Sequence, residues 1–299
     1  MKLPTTLHCS PVLCGKLHPP SAHARCPPLP PPVASLEDLD LMGLQVPLAP
    51  ILRHTSLTRL LIRGGNLRAA PGGGALGRLA ELKCLDLRGT RLSPALVRRI
   101  GGLEGLTALN LGRVHAFGRY TPQLPRLPPQ FSRLRSLRSL VLRQNPGIEG
   151  MAPLGCMTAL TELDLGGCEL PELPPAVGHL TSLRRLNLAG NDYLGAESLA
   201  HLEPLAGSLT ELNLAWWDGA QLPPSLARLA ALRDLNLTRR VTRPLEGGVQ
   251  HVLGLTRLTR LMLAGWSDEA CTQLSGTLRE VWHRTSETPR PDTWASIRH

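Results

Sequence analysis

The sequence predicts an α/β fold: a curved horseshoe solenoid with a parallel sheet on its concave side and a convex side of mixed short helices and extended segments. Three observations lead there. The pattern LxxLxL recurs in phase along most of the 299 residues. Within each copy apolar residues alternate with other residues, the period of a short strand with one buried face. No single copy can cover its own leucines, so copies must stack, each against the next.

Nine copies are in phase, at Leu57, Leu82, Leu106, Leu137, Leu160, Leu183, Leu209, Leu232 and Leu258, and they read from LTRLLI through LTELDL to LTRLML. Their spacings run from 23 to 31 residues. A weaker copy, LEDLDLMGLQV, begins at Leu36, and a frayed one, LREVWH, at Leu278. Stacked strands sit ~4.8 Å apart. Each fully buried leucine contributes about 1.5–3 kcal/mol, so stability is spread along the stack. The expected organisation is a Pro-rich, disordered leader or transit segment over 1–35, a repeat domain over 36–283, and a polar tail over 284–299.

These residues resemble the leucine-rich repeat family, whose motif is L-x-x-L-x-L-x-x-N-x-L. The resemblance covers roughly 36–283. The phrase LPPAVGHLTSLRRLNLAGNDY, echoed in LPPQFSRLRSLRSLVLRQN and LPPSLARLAALRDLNL, is similar to the plant-type intracellular and Ras-group subclass. Extracellular members of the family commonly carry cysteine-rich caps at both ends; the sequence shows no convincing version of either, which favours an intracellular location.

The convex side is expected to vary. Residues 93–102, SPALVRRIGG, read as a short helix with Ser93 as cap, Pro94 in the first turn and Gly101 as stop. Residues 268–276, DEACTQLSG, read similarly. The LPP copies suggest an extended or single-turn connection, because proline fixes φ and removes a donor.

Position 9 of the motif is usually Asn, whose amide satisfies backbone groups in the turn after the strand. Here it reads Gly65, Thr90, Val114, Asn145, Cys168, Asn191, Trp217, Arg240 and Trp266. An indole has one donor and no acceptor, so the turns after the seventh and ninth strands are expected to depart from the family geometry. Either the indoles fill widened turns, or Trp216, Trp217 and Trp266 stand at the sheet edge as partner anchors. Adjacent residues of an extended segment point opposite ways, which favours one indole in and one out. Phe117, Tyr120 and Phe131 fall in the long third copy, and the nine aromatics avoid the leucine positions.

The concave surface is read from the strand columns. The column between the two strand leucines runs Leu61, Asp86, Asn110, Val141, Asp164, Asn187, Asn213, Asn236 and Met262. Flanking columns supply Arg59, Arg63, Arg88 and Arg143 early, then Glu162, Arg185, Glu211 and Asp234. Residues 57–160 carry 16 Arg and Lys against 4 Asp and Glu; residues 161–235 carry 4 against 10. A face running from basic to acidic would orient an oppositely polarised partner, or simply keep the sheet solvated. The candidate partner-binding set is therefore Arg59, Arg63, Asp86, Arg88, Arg143, Glu162, Asp164, Arg185, Glu211, Trp216, Trp217 and Trp266.

Other chemistry finds little support. The net charge of +10 is almost all arginine and goes with a general Ala, Gly and Pro richness, so the pI alone says little of function. Nucleic-acid binding is disfavoured by strands without interleaved aromatics and by the acidic second half. GGGALG contains the spacing G-x-G-x-x-G, but inside a repeat's return loop rather than at a strand-to-helix turn. Cys9, Cys14, His18, His23 and Cys26 contain no compact C-x2-C pair. Cys84 has no histidine in a neighbouring column to act as base. Seven cysteines fit reduced thiols. No apolar run approaches ~20 residues. The sequon NLT at Asn236 falls on a strand.

The reading implies no cofactor, no metal and no catalysis. It describes a monomer in the cytoplasm, with an organellar location open because no acidic residue precedes Glu37. The expected function is a protein–protein scaffold or adaptor. The alternative is a substrate-recognition or regulatory subunit of an enzyme complex in ubiquitin ligation or kinase signalling.

Overall fold

The computed structural model describes residues 6–9, 36–41, 51–63, 76–90, 92–113, 124–219, 221–239, 248–263 and 281–283. Among these, twelve parallel strands form one open sheet in which every strand pairs with its neighbour in sequence. They are β1 (Thr6–Cys9), β2 (Asp38–Leu41), β3 (Arg59–Leu61), β4 (Cys84–Asp86), β5 (Ala108–Asn110) and β6 (Ser139–Val141). The second half holds β7 (Glu162–Asp164), β8 (Arg185–Asn187), β9 (Glu211–Asn213), β10 (Asp234–Asn236), β11 (Arg260–Leu263) and β12 (Val281–His283).

The register follows the leucines. Leu60, Leu85, Leu109 and Leu140 are paired in line across β3 to β6, and Leu163, Leu186, Leu212, Leu235 and Leu261 continue the row to β11. A one-residue slip would turn that row to the other face, so burial fixes the pairing. Motif positions 1, 4 and 6 are buried in all nine copies. The weak copy at Leu36 and the frayed copy at Leu278 supply β2 and β12.

β1 lies inside the segment 1–35, which the sequence reading sets apart from the repeats. Its register places Leu7 opposite Leu39, so the sheet begins one strand earlier than the motif suggests. The signal is faint because Pro4 and Cys9 stand where other copies have leucine.

On the other side of the core, α1 (Pro94–Ile100) has the expected cap: the Leu96 N–H donates to Ser93 Oγ at 3.3 Å, and Pro94 opens the helix. A second short helix, α2, spans Val249–Leu253. The LPP copies form single-turn 3-10 helices at Pro129–Arg133, Pro175–His179 and Pro224–Arg228. Proline suits their first position, where its missing N–H leaves no gap. Phe131 sits in the first of these and is fully buried. It takes the place that Val177 and Leu226 hold in the other two copies, so this aromatic belongs to the core, not to an exposed insertion. Phe117, Tyr120 and residues 268–276 lie outside the described residues.

Candidate functional site: the open face and its aromatic edge

The column between the strand leucines is buried from Leu61 to Asn236, although it lies on the sheet's open face. Its polar members are held by their own backbone. Asp86, Asn110, Asp164, Asn187, Asn213 and Asn236 each accept, through Oδ1, the N–H two residues on, at 2.9–3.1 Å. A short Asx side chain reaches that donor without strain, which is why this column is Asp or Asn in six copies. Asn187 also donates to Asp164 Oδ1 at 2.9 Å. The sequon residues Asn236 and Thr238 are buried members of this arrangement, so NLT is explained by strand termination.

Charge on the face comes from the flanking columns. Arg59, Arg63, Arg88 and Arg143 are half-buried along β3 to β6. Arg63 Nε donates to Asp86 Oδ2 at 2.9 Å, so both carboxylate oxygens of Asp86 are engaged. Further along, Arg185 is exposed and lies 3.5 Å from Glu162, and Arg260 lies 3.4 Å from Asp234. Burial pushes the Glu211 carboxyl up, the Arg185 charge pulls it down, and Asp234 pushes it up again. Burial pushes Asp164 up to about 6 against the pull of the Gly166 N–H, Arg143 and Asn187. Cys84 is half-buried, and burial raises its thiol above the usual range, which disfavours a thiolate nucleophile. Among the described residues no group of three or more His, Cys, Asp and Glu side chains converges as metal ligands would. Among them, too, no helix is long and apolar enough to cross a membrane.

Past the strand ends, position 9 forms the ladder its residue types suggest. Asn145 Nδ2 donates to Leu142 O (2.7 Å) and Leu111 O (3.2 Å). Asn191 Nδ2 donates to Leu188 O (2.7 Å) and Leu165 O (3.0 Å), and its Oδ1 accepts the Leu170 N–H. Thr90 Oγ1 and Cys168 Sγ each reach one carbonyl of the preceding repeat. Trp217 is different: its ring is buried, and its Nε1–H donates to Leu194 O at 2.7 Å.

The backbone of that turn nevertheless matches its neighbours, contrary to the expected departure. Position 8 has positive φ at Gly89, Gln144, Gly167, Gly190 and Trp216, from 61° to 69°. The Trp216 N–H donates to Thr238 O as the Gly190 N–H donates to Ala215 O. What changes is the side chain, not the turn. Trp216 is half-buried, with its Cε3 placed 3.8 Å from where a Cβ on Gly190 would stand. In the adjacent turn Tyr193 is 77% exposed. Of the candidate residues, Trp217, Asp86 and Asp164 are thus buried, while the arginines, Glu162, Glu211 and Trp216 keep part of their surface. Trp266 lies outside the described residues.

Comparison with known proteins agrees with this architecture. The family model described as Leucine Rich Repeat matches residues 159–180. No curated protein shows significant similarity to the chain. Among solved structures, a leucine-rich-repeat protein of Leptospira interrogans is 19% identical, covers 84% of this chain and 73% of its own, and superposes with a TM-score of 0.57. An internalin from Listeria monocytogenes is 19% identical over 88% of this chain and 79% of its own, with a TM-score of 0.56. A TDR receptor is 20% identical over 86% of this chain and 45% of its own, with a TM-score of 0.54.

Proposed function

With the fold established as a leucine-rich-repeat solenoid, we propose that the chain is a non-catalytic scaffold that binds a protein partner across the open face and at the aromatic edge. The observation that supports this most is Trp216. A left-handed backbone costs a residue with a Cβ about 1–2 kcal/mol; Gly89, Gly167 and Gly190 avoid that cost at the same position, while Gln144 and Trp216 bear it. Strain retained at a partly exposed aromatic is a pointer to function. Tryptophan and tyrosine are favoured anchors at interfaces, and Tyr193 stands exposed in the next turn.

Arg59, Arg63, Arg88 and Arg143 give the early face its positive character, while Glu162, Glu211 and Arg185 give the later face mixed charge. Asp86 and Asp164 support this surface from below rather than meeting the partner. Trp266 extends the same edge by sequence. Proximity labelling from the full chain, with Arg59, Arg88 and Arg143 reversed to Glu in one variant and Trp216→Gly in another, tests the proposal. Both variants are expected to lose the proteins that the unaltered chain labels. Unchanged labelling by both overturns it.

A further inference from the structure

A second charge pattern crosses the fold and is independent of the open face. Position 2 of the motif, just ahead of each strand, reads Thr58, Lys83, Thr107, Arg138, Thr161, Arg184, Thr210, Arg233 and Thr259. Threonine and cation alternate strictly. The hydroxyls of Thr107, Thr161, Thr210 and Thr259 donate to the carbonyls of Lys83, Arg138, Arg184 and Arg233, at 3.0–3.2 Å. The threonines are thereby folded against the sheet edge and half-buried, whereas the four cations are exposed. None of these four side chains forms an ion pair or hydrogen bond with a described residue.

The surroundings leave the three arginines unneutralised, whereas Lys83 has the exposed Glu81 and Glu104 in the same window of its own and the next copy. From the fourth copy to the ninth, no carboxylate occupies the two residues before the motif or its first two positions, and Arg135 and Arg257 add charge there. The exposed Glu169, Glu172 and Asp218 instead follow the strands, at the opposite edge. Glu162 and Asp234 lie one position into the strand and face Arg185 and Arg260. The half of the chain that is acidic by composition therefore has a basic edge.

Spacing selects the ligand. Strands lie ~4.8 Å apart, so cations on alternate strands recur at ~9.6 Å. A peptide in the extended polyproline-II conformation rises about 3.1 Å per residue with three residues per turn, so its every third side chain recurs at ~9.3 Å on one face. We propose that the row Arg138, Arg184 and Arg233, continued by Lys83, binds an extended acidic peptide that runs across the strands with a carboxylate at every third residue. The guanidinium fork suits a carboxylate, and the flat threonines leave room for the intervening residues.

Fluorescence anisotropy on the full chain tests this at low salt, where exposed pairs are least screened. The probes are a labelled Gly-Ser-Glu repeat peptide, a peptide of the same composition with its glutamates in one block, and poly-dT of matched charge. The repeat peptide is expected to bind most tightly. Reversing Arg138, Arg184 and Arg233 to Glu should weaken it by about tenfold, the product of three exposed ion pairs, and changing them to Gln should weaken it less. Reversing the exposed Arg98 and Arg99 of α1, or Trp216→Gly on the open face, should leave it unchanged, which separates this site from the scaffold surface above. Equal binding of the block peptide, tightest binding of poly-dT, or indifference to the triple reversal each overturns the proposal.

Discussion

The indole N–H of Trp217 donates to the carbonyl of Leu194, 2.7 Å away and one repeat upstream. Asn145 and Asn191, at the same motif position, hold carbonyls three residues back and one repeat back. The tryptophan thus keeps the cross-repeat bond but moves it outward, because the indole places its donor further from the backbone than an amide does. Trp217→Phe keeps most of the ring and removes the donor, leaving the Leu194 carbonyl without this partner. The expected cost is about 1–2 kcal/mol, read as a lower urea midpoint at unchanged slope.

Asn191 is the most fully used member of the ladder. Its fully buried side chain makes three hydrogen bonds, two as donor and one as acceptor. Asn191→Ala would leave three buried backbone groups short of these partners, at about 1–3 kcal/mol for each group that stays unsatisfied. Cys168 makes only sulfur contacts at the same position. Cys168→Ala is therefore expected to lower the urea midpoint less than Asn191→Ala. The reverse order would mean that the position acts through packing alone.

Most of the architecture is legible in the residues because leucine columns report burial directly. The row from Leu60 to Leu261 sets the register, and Ser93 with Pro94 sets the start of α1. The functional columns are harder to read. Asp86 and Asp164 look like surface charge by alternation, yet their carboxylates turn back to their own backbone, since an Asx side chain at a strand end has a donor two residues away. Phe131 looks like part of a loop because its copy is long, but its LPP phrase aligns it with Val177 and Leu226. The alternation of Thr58 to Thr259 with Lys83 to Arg233 is visible in sequence. Its meaning needed the hydroxyl bonds that lay one set down and leave the other standing.

Asp164 carries a pH signature. Burial holds its carboxyl near 6 in the folded chain, against 3.8 as the ordinary value. The folded state therefore binds this proton more tightly than the unfolded state. The sign follows: the contribution is neutral below about pH 4, grows destabilising between about pH 4 and 6, where only the unfolded chain gives up the proton, and levels off above 6 at about 2–3 kcal/mol. Asn occupies the same column at positions 110, 187, 213 and 236, and Asp164→Asn preserves the acceptor for the Gly166 N–H. Thermal melts should show the variant more stable than the parent at pH 7, with the difference shrinking toward pH 4. A difference independent of pH would show that Asp164 is charged in both states.

The two adjacent tryptophans should respond in opposite ways to truncation. Trp217 is buried and bonded, so Trp217→Ala is expected to cost about 3–5 kcal/mol, the range for large aromatic cavities. Trp216 is half-buried at φ 62°, where glycine removes about 1–2 kcal/mol of backbone strain. Glycine gives back about 0.5–1 kcal/mol through the freer unfolded chain, and some contact over Gly190 is lost. Trp216→Gly should therefore leave stability within about 1 kcal/mol of the parent, by the balance of those two effects. Chemical denaturation of both variants checks the contrast. A loss at Trp216 as large as that at Trp217 would identify its indole as ordinary core, and the aromatic edge would then have no free energy to spare for a partner.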